Sequence, residues 1–159
     1  NSKSDIIHIA THGFYNEGNE FDRFNWGLLA SGSETTIYND FKKERRDDGI
    51  IFGGEIITKN FTQTKLVVLS ACETSYGTTS FFGGENLANT FLRAGAKNII
   101  STLWPVDDQI TQEFMSLFYS KLTTLENIDS ALRATKKTMK QKYAHPNYWG
   151  GFVLTQNKI

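Results

Sequence analysis

The chain holds one cysteine, Cys72, and three histidines, His8, His12 and His145. A thiol becomes a useful nucleophile when its thiolate is accessible and a base stands nearby, and imidazole is the usual base. Cys72 lies in "LVVLSACETSYG" (66–77), where an apolar run gives way to a polar turn. His12 lies in the same situation at the end of "DIIHIATHG", followed by Gly13, which lets backbone approach a substrate closely. If the two apolar runs are neighbouring strands, about 4.8 Å apart, their ends bring His12 and Cys72 to a common substrate carbonyl. The backbone N–H groups of Gly13 and Cys72 would then form an oxyanion hole. Such acyl chemistry calls for no metal and no cofactor. A free cysteine also serves as a small buried hydrophobe, and on residue type and position both readings stand.

Two further groups of residues bear on the same region. His8 and His12 have the H-x-x-x-H spacing of a helical zinc pair, but they lie in a strand-like run. Four strand residues span about 13 Å, so both rings cannot hold one ion, and His8 reads as a satisfied interior histidine. His145, before Pro146, reads as a structural turn residue. Asp107 and Asp108 follow the third apolar run in "LWPVDD". Either suits the N-cap of a following helix, and either, Asp108 ahead, suits a pocket for a cationic substrate side chain. The chain lacks a G-x-S-x-G elbow and a G-x-x-x-x-G-K-[ST] loop, which disfavours a serine hydrolase of the α/β-hydrolase kind and a P-loop enzyme.

The elements that must position these residues follow from periodicity. Buried strands are expected at 5–11, 65–71 and 97–104, the last stopped by Pro105, with short strands at 26–30 and 49–52. Residues 12–25 read as a loop, "GGEIIT" as one helical turn, and 31–48 as a long exposed loop. Amphipathic helices are expected at 85–94, ended by Gly95 in a left-handed cap, at 108–122 and at 128–142, before a turn and a final short strand. Strands alternating with helices predict an α/β domain with a mostly parallel sheet, and in such sheets chemistry collects beyond the carboxyl ends of the strands. "THG", "SACET" and "LWPVDD" all fall there.

Length and composition bound the partners. The chain's 159 residues suit one domain spanning 1–159, and 17 basic residues balance 17 acidic ones, so no net field points to nucleic acid or a membrane surface. No apolar run approaches a membrane span of about 20 residues. One cysteine forms no internal disulfide, which fits a reducing, cytoplasmic setting. The start, "NSKSDIIHIATHG", lacks a methionine and reads as part of a longer polypeptide with upstream strands missing.

"HIATHG", "LVVLSACET", "GGENLANTFLRAGAKNIISTLWPVDD" and "HPNYWGGFVL" together resemble the CHAT domain, a caspase-like cysteine peptidase family of clan CD often joined to tetratricopeptide repeats. The resemblance runs from Ile6 to about Leu154. It implies a caspase-haemoglobinase-like α/β/α sandwich and a dyad of His12 and Cys72. Cys72 would attack the scissile carbonyl and His12 would protonate the leaving amine. The "LWPVDD" stretch is similar to one in separases whose aspartate recognises a basic P1 residue, and that aspartate matches Asp108, with Asp107 adjacent. The expected function is a prokaryotic cysteine endopeptidase acting on a specific protein substrate. An activating partner or an adjoining repeat region would regulate it, and a place in bacterial defence is plausible. The alternatives are a catalytically silent recognition or scaffold module and another thiol acyl-transfer enzyme such as a thioesterase or amidase.

Overall fold

The computed structural model describes residues 5–15, 26–31, 33, 49–70 and 86–157. Cys72, its "TSYG" tail and most of the 31–48 insertion lie outside the described residues. Among the described residues, four strands form the central sheet in the order β1 (Ile6–Ile9), β5 (Leu66–Leu69), β6 (Asn98–Thr102) and β7 (Phe152–Gln156). β1 and β5 run parallel from Ile6↔Leu66 to Ile9↔Leu69, and β5 and β6 run parallel at Val67↔Ile99 and Val68↔Ile100. β7 returns antiparallel to β6. The domain is therefore mixed α/β with a mostly parallel central sheet.

β5 shows why an unbroken apolar run belongs in the middle of such a sheet. Leu66, Val67, Val68 and Leu69 are each no more than 1% exposed, because both faces are covered. The strand period of two sends Val67, Leu69 and Ile99 to one face, against Leu87, Ala88 and Phe91 of helix α2 (Leu87–Arg93). Leu66, Val68 and Ile100 go to the other face. There they meet Phe114, Met115 and Phe118 of α3 (Asp108–Leu125) and Ala131, Leu132 and Met139 of α4 (Ile128–Lys142). Phe114 stacks on Phe152 of β7 with ring centroids 3.7 Å apart, which locks α3 to the antiparallel edge. Full burial of a side chain of this size contributes about 1.5–3 kcal/mol.

The helix ends are set locally. Asn86 Oδ1 accepts from Asn89 N at 2.8 Å to start α2, and Gly95, at φ 105°, ends it where a side chain would be strained. A Cβ at Gly95 would also lie 2.8 Å from the Thr62 side chain. Asn127 Oδ1 accepts from Ser130 N at 2.9 Å to start α4.

Two expectations are corrected. Residues His12–Tyr15 are not loop but a strand, β2, in a second, antiparallel sheet with β3 (Trp26–Leu29) and β4 (Ile50–Phe52). The register runs from His12↔Leu29 to Tyr15↔Trp26, and from Gly27↔Phe52 to Leu29↔Ile50. Pairing with β3 overrides the loop signal of the neighbouring glycines. The small sheet is tied to the large one through Trp26, whose Nε1 donates to Thr90 Oγ1 of α2 at 3.1 Å and whose ring covers Gly53 at the start of the one-turn helix α1 (Gly53–Ile56). Secondly, β1 is only half buried. Ile7 and Ile9 lean on the first core, while Ile6, 42% exposed, and His8 face outward. The reason is position: β1 is the edge strand, and among the described residues β5 is its partner in the sheet.

Candidate active site

A cleft of about 520 Å³ opens where the carboxyl ends of β1 and β5 meet the first half of α3. His8, Thr11, His12, Ser70, Asp108 and Tyr119 all contribute to its wall. The parallel pairing of β1 and β5 is the adjacency that the dyad chemistry requires of their ends.

His12 opens β2 just past the corner made by Ala10 and Thr11. The corner is pinned from the side of the small sheet, since Thr11 Oγ1 donates to the Leu29 carbonyl and His12 pairs with Leu29. The His12 side chain is exposed and lines the cleft, and no hydrogen bond among the described residues engages its ring. Gly13 pairs with Leu28 in the β2–β3 ladder. At the end of β5, Ser70 N donates to the Ile9 carbonyl at 2.9 Å, which extends the parallel ladder to the cleft rim. Cys72, two residues on, lies outside the described residues.

The two aspartates divide. Asp107 is the N-cap of α3, with Oδ1 accepting from Gln109 N at 2.9 Å and from Ile110 N at 3.2 Å. Asp108 is the first helical residue, is exposed, and lines the same cleft as His12. The segment before them is held by the closing motif. Leu103 N donates to Gly151 O at 2.9 Å, and Trp104 Nε1 donates to Asn147 O at 3.0 Å. A Cβ on Gly151 would stand 2.8 Å from the Trp104 ring, so a glycine is needed for the indole to lie flat on that backbone. "LWPVDD" and "HPNYWGG" thus form one packed unit that fixes the start of α3. Within it His145 has a turn role, its Nδ1 accepting from Asn147 N at 3.2 Å.

His8 is partnered, though not in the interior as its sequence context predicts. Its Nε2 lies 2.9 Å from Ser70 Oγ and its Nδ1 lies 3.0 Å from the Tyr119 hydroxyl, so it bridges β1, β5 and α3 at the cleft wall. Partial burial lowers the His8 pKa below the ordinary imidazole value of 6.5 and raises that of Tyr119 above 10.0, so both are neutral at pH 7. Sequence reasoning missed Thr11, Ser70 and Tyr119. Tyr119 had a readable signal: with Asp108, Thr111, Gln112, Met115 and Ser116 it follows the helical repeat of one face of α3.

A profile of the CHAT domain matches residues 1–157, and the chain belongs to that family of caspase-like domains. Tetratricopeptide repeat protein 28 of mouse and that of human are each 34% identical to it over 97 residues, 60% of this chain. The match spans only 4% of the length of these relatives. Both are mammalian, so they lend the expected prokaryotic origin and defence role no support. Among the described residues, no helix is long and apolar enough to cross a membrane.

Proposed function

We propose that the chain is the catalytic unit of a cysteine endopeptidase with a caspase-haemoglobinase-like fold, using Cys72 as nucleophile and His12 as acid and base. The observation that carries this reading is that His12, Asp108 and the end of β5 border one cleft. Ser70 precedes Cys72 by two peptide links, and covalent geometry keeps their Cα atoms within about 7 Å, so the thiol is tethered close to that cleft. Residues 1–159 are read as one domain with an insertion at 31–48, in a reducing cytoplasmic setting that keeps the thiol free.

In this reading the Cys72 thiolate forms a bond to the scissile carbonyl carbon, and the carbonyl oxygen takes up the negative charge. The N–H groups of Gly13 and Cys72 donate to that oxyanion. For Gly13 this uses the alternation of an antiparallel strand, in which successive N–H groups point to opposite edges. His12, protonated on taking the thiol proton, gives that proton to the leaving amine as the C–N bond breaks. A water molecule, deprotonated by His12, then cleaves the thioester and releases the acid and the thiol. Asp108 at the cleft wall receives a basic P1 side chain, and Asp107 contributes through the helix cap. The substrate is a specific protein. The similarity to tetratricopeptide repeat protein 28 supports an adjoining tetratricopeptide repeat region, which would act as the regulatory partner.

The test is cleavage of an acetylated arginyl peptide carrying a fluorogenic coumarin amide by the full-length protein. Cys72→Ala and His12→Ala each abolish turnover under the proposal. Wild-type turnover in either variant removes the dyad.

A further inference from the structure

We propose that His8 is a positioning residue for this chemistry: bridged by Tyr119 on one side and Ser70 on the other, it fixes the segment of β5 that leads into the nucleophile. The proposal rests on the protease reading above and adds a second histidine to it, with a role distinct from that of His12. Three observations support it.

The first is saturation of the ring. A neutral imidazole offers one donor and one acceptor, and both His8 nitrogens are already spent, Nε2 on Ser70 Oγ at 2.9 Å and Nδ1 on the Tyr119 hydroxyl at 3.0 Å. A base for a thiol needs a free nitrogen aimed into the cleft. His8 does not have one while the bridge is intact.

The second is what the bridge connects. Its three members come from β1, the residue just after β5, and α3, with Ser70 and Tyr119 lying 62 and 111 positions from His8 along the chain. Ser70 already has its backbone N–H on the Ile9 carbonyl, so His8 adds a side-chain tie to a residue whose main chain is, among the described residues, the last rung of the parallel ladder. The nucleophile follows two residues later. A shift of about 1 Å in a reacting group costs on the order of 100-fold in rate, so a tie at that rung is worth having.

The third is that the bridge can be completed by neutral groups in either imidazole tautomer. Partial burial shifts His8 and Tyr119 further toward their neutral forms. One hydroxyl donates to the ring and the other accepts from it, a chain of hydrogen bonds that runs from α3 across β1 to β5. The rings of His8 and Tyr119 also contact each other, with centroids 5.7 Å apart, so the tyrosine sets the orientation of the imidazole by packing as well as by its hydroxyl.

The experiment measures kcat and KM for the arginyl coumarin peptide with the full-length protein, comparing His8→Ala, His8→Gln, Ser70→Ala, Tyr119→Phe and the double variant His8→Ala/Ser70→Ala. His8→Ala is expected to lower kcat by about 10–100-fold with KM changed less than about twofold. His8→Gln offers an amide that can donate to or accept from Ser70 and is expected to recover part of that loss. Because His8 acts through Ser70, the double variant is expected to be no slower than the worse single one. A melting curve for each variant checks that the loss does not come from unfolding. Unchanged kcat in a folded His8→Ala, or multiplicative losses in the double variant, overturns the positioning role and leaves the dyad standing. Wild-type turnover in Cys72→Ala, run alongside, overturns the protease reading and this proposal together.

Discussion

Asp107 and Asp108 are adjacent carboxylates, and under the proposed function their substitution has opposite consequences. Asp107→Ala removes two hydrogen bonds, to Gln109 N at 2.9 Å and Ile110 N at 3.2 Å, at the start of an 18-residue helix. Loss of a cap of this kind costs about 1 kcal/mol, within a range of roughly 0.5–2. In a chain of this size 1 kcal/mol lowers the melting temperature by about 2–4 °C. Asp108→Ala removes an exposed carboxylate from the first turn, whose favourable interaction with the helix dipole is only about 0.3–1 kcal/mol. Activity reverses the order. An Asp108–guanidinium contact in a partly open cleft is expected to be worth about 1.4–2.8 kcal/mol, or 10–100-fold in kcat/KM, well below the ~4 kcal/mol of an undiscounted pair at an effective dielectric of 20. Differential scanning fluorimetry and hydrolysis of arginyl and norleucyl coumarin peptides read the two effects separately. The reasoning predicts a less stable, active Asp107→Ala and a stable Asp108→Ala that has lost its preference for arginine. If Asp108→Ala keeps the arginyl preference, Asp108 has no part in the pocket. If Asp107→Ala melts with the wild type, its cap contributes nothing.

Three further outcomes follow from the packing. Gly151→Ala puts a Cβ 2.8 Å from the Trp104 ring and is expected to cost about 1–3 kcal/mol by overpacking, with a changed indole emission spectrum; wild-type stability would show that the ring moves aside freely. Trp26→Phe removes the 3.1 Å hydrogen bond to Thr90 Oγ1, which keeps its own bond to the Asn86 carbonyl at 3.0 Å, and the lost bond is expected to cost about 0.5–1.5 kcal/mol in urea unfolding. For His8, the folded-state pKa is depressed, so the unfolded chain takes up a proton first as pH falls below 6.5 and the folded state loses relative stability from there down through the folded pKa. Melting temperatures recorded between pH 7.5 and 5 are therefore expected to fall less steeply for His8→Gln than for the wild type, and parallel curves would contradict this.

Much of the frame was legible because it depends on local chemistry. Four consecutive buried aliphatics make β5 readable from sequence, and the φ of 105° at Gly95 is the conformation for which a glycine after an apolar helix stands. A capping aspartate before α3 was readable too, but not which of the pair, since both satisfy the same local rule and only backbone direction separates them. Features set by distant residues were not legible. β2 is a strand because β3, 11 or more residues on, pairs with it, and "HGFY" carries no alternating pattern to announce that. His8 looked like an interior residue because an isoleucine flanks it on either side, whereas its partners are Ser70 and Tyr119 and it stands on an edge strand. The coupling of "LWPVDD" to "HPNYWGG" is of the same kind, a contact of Trp104 with Gly151 across 47 positions of sequence.

Under the proposed function Cys72 is a nucleophile served by His12. The most direct measurement of this is mass spectrometry of the full-length protein after treatment with an arginyl acyloxymethyl ketone, an electrophile that needs both a bound P1 side chain and an activated thiol. The account predicts stoichiometric modification of Cys72 in the wild type, little in His12→Ala, and little in Asp108→Ala. Modification of Cys72 at the same rate in His12→Ala as in the wild type, or none in the wild type with its partner region present, would contradict it.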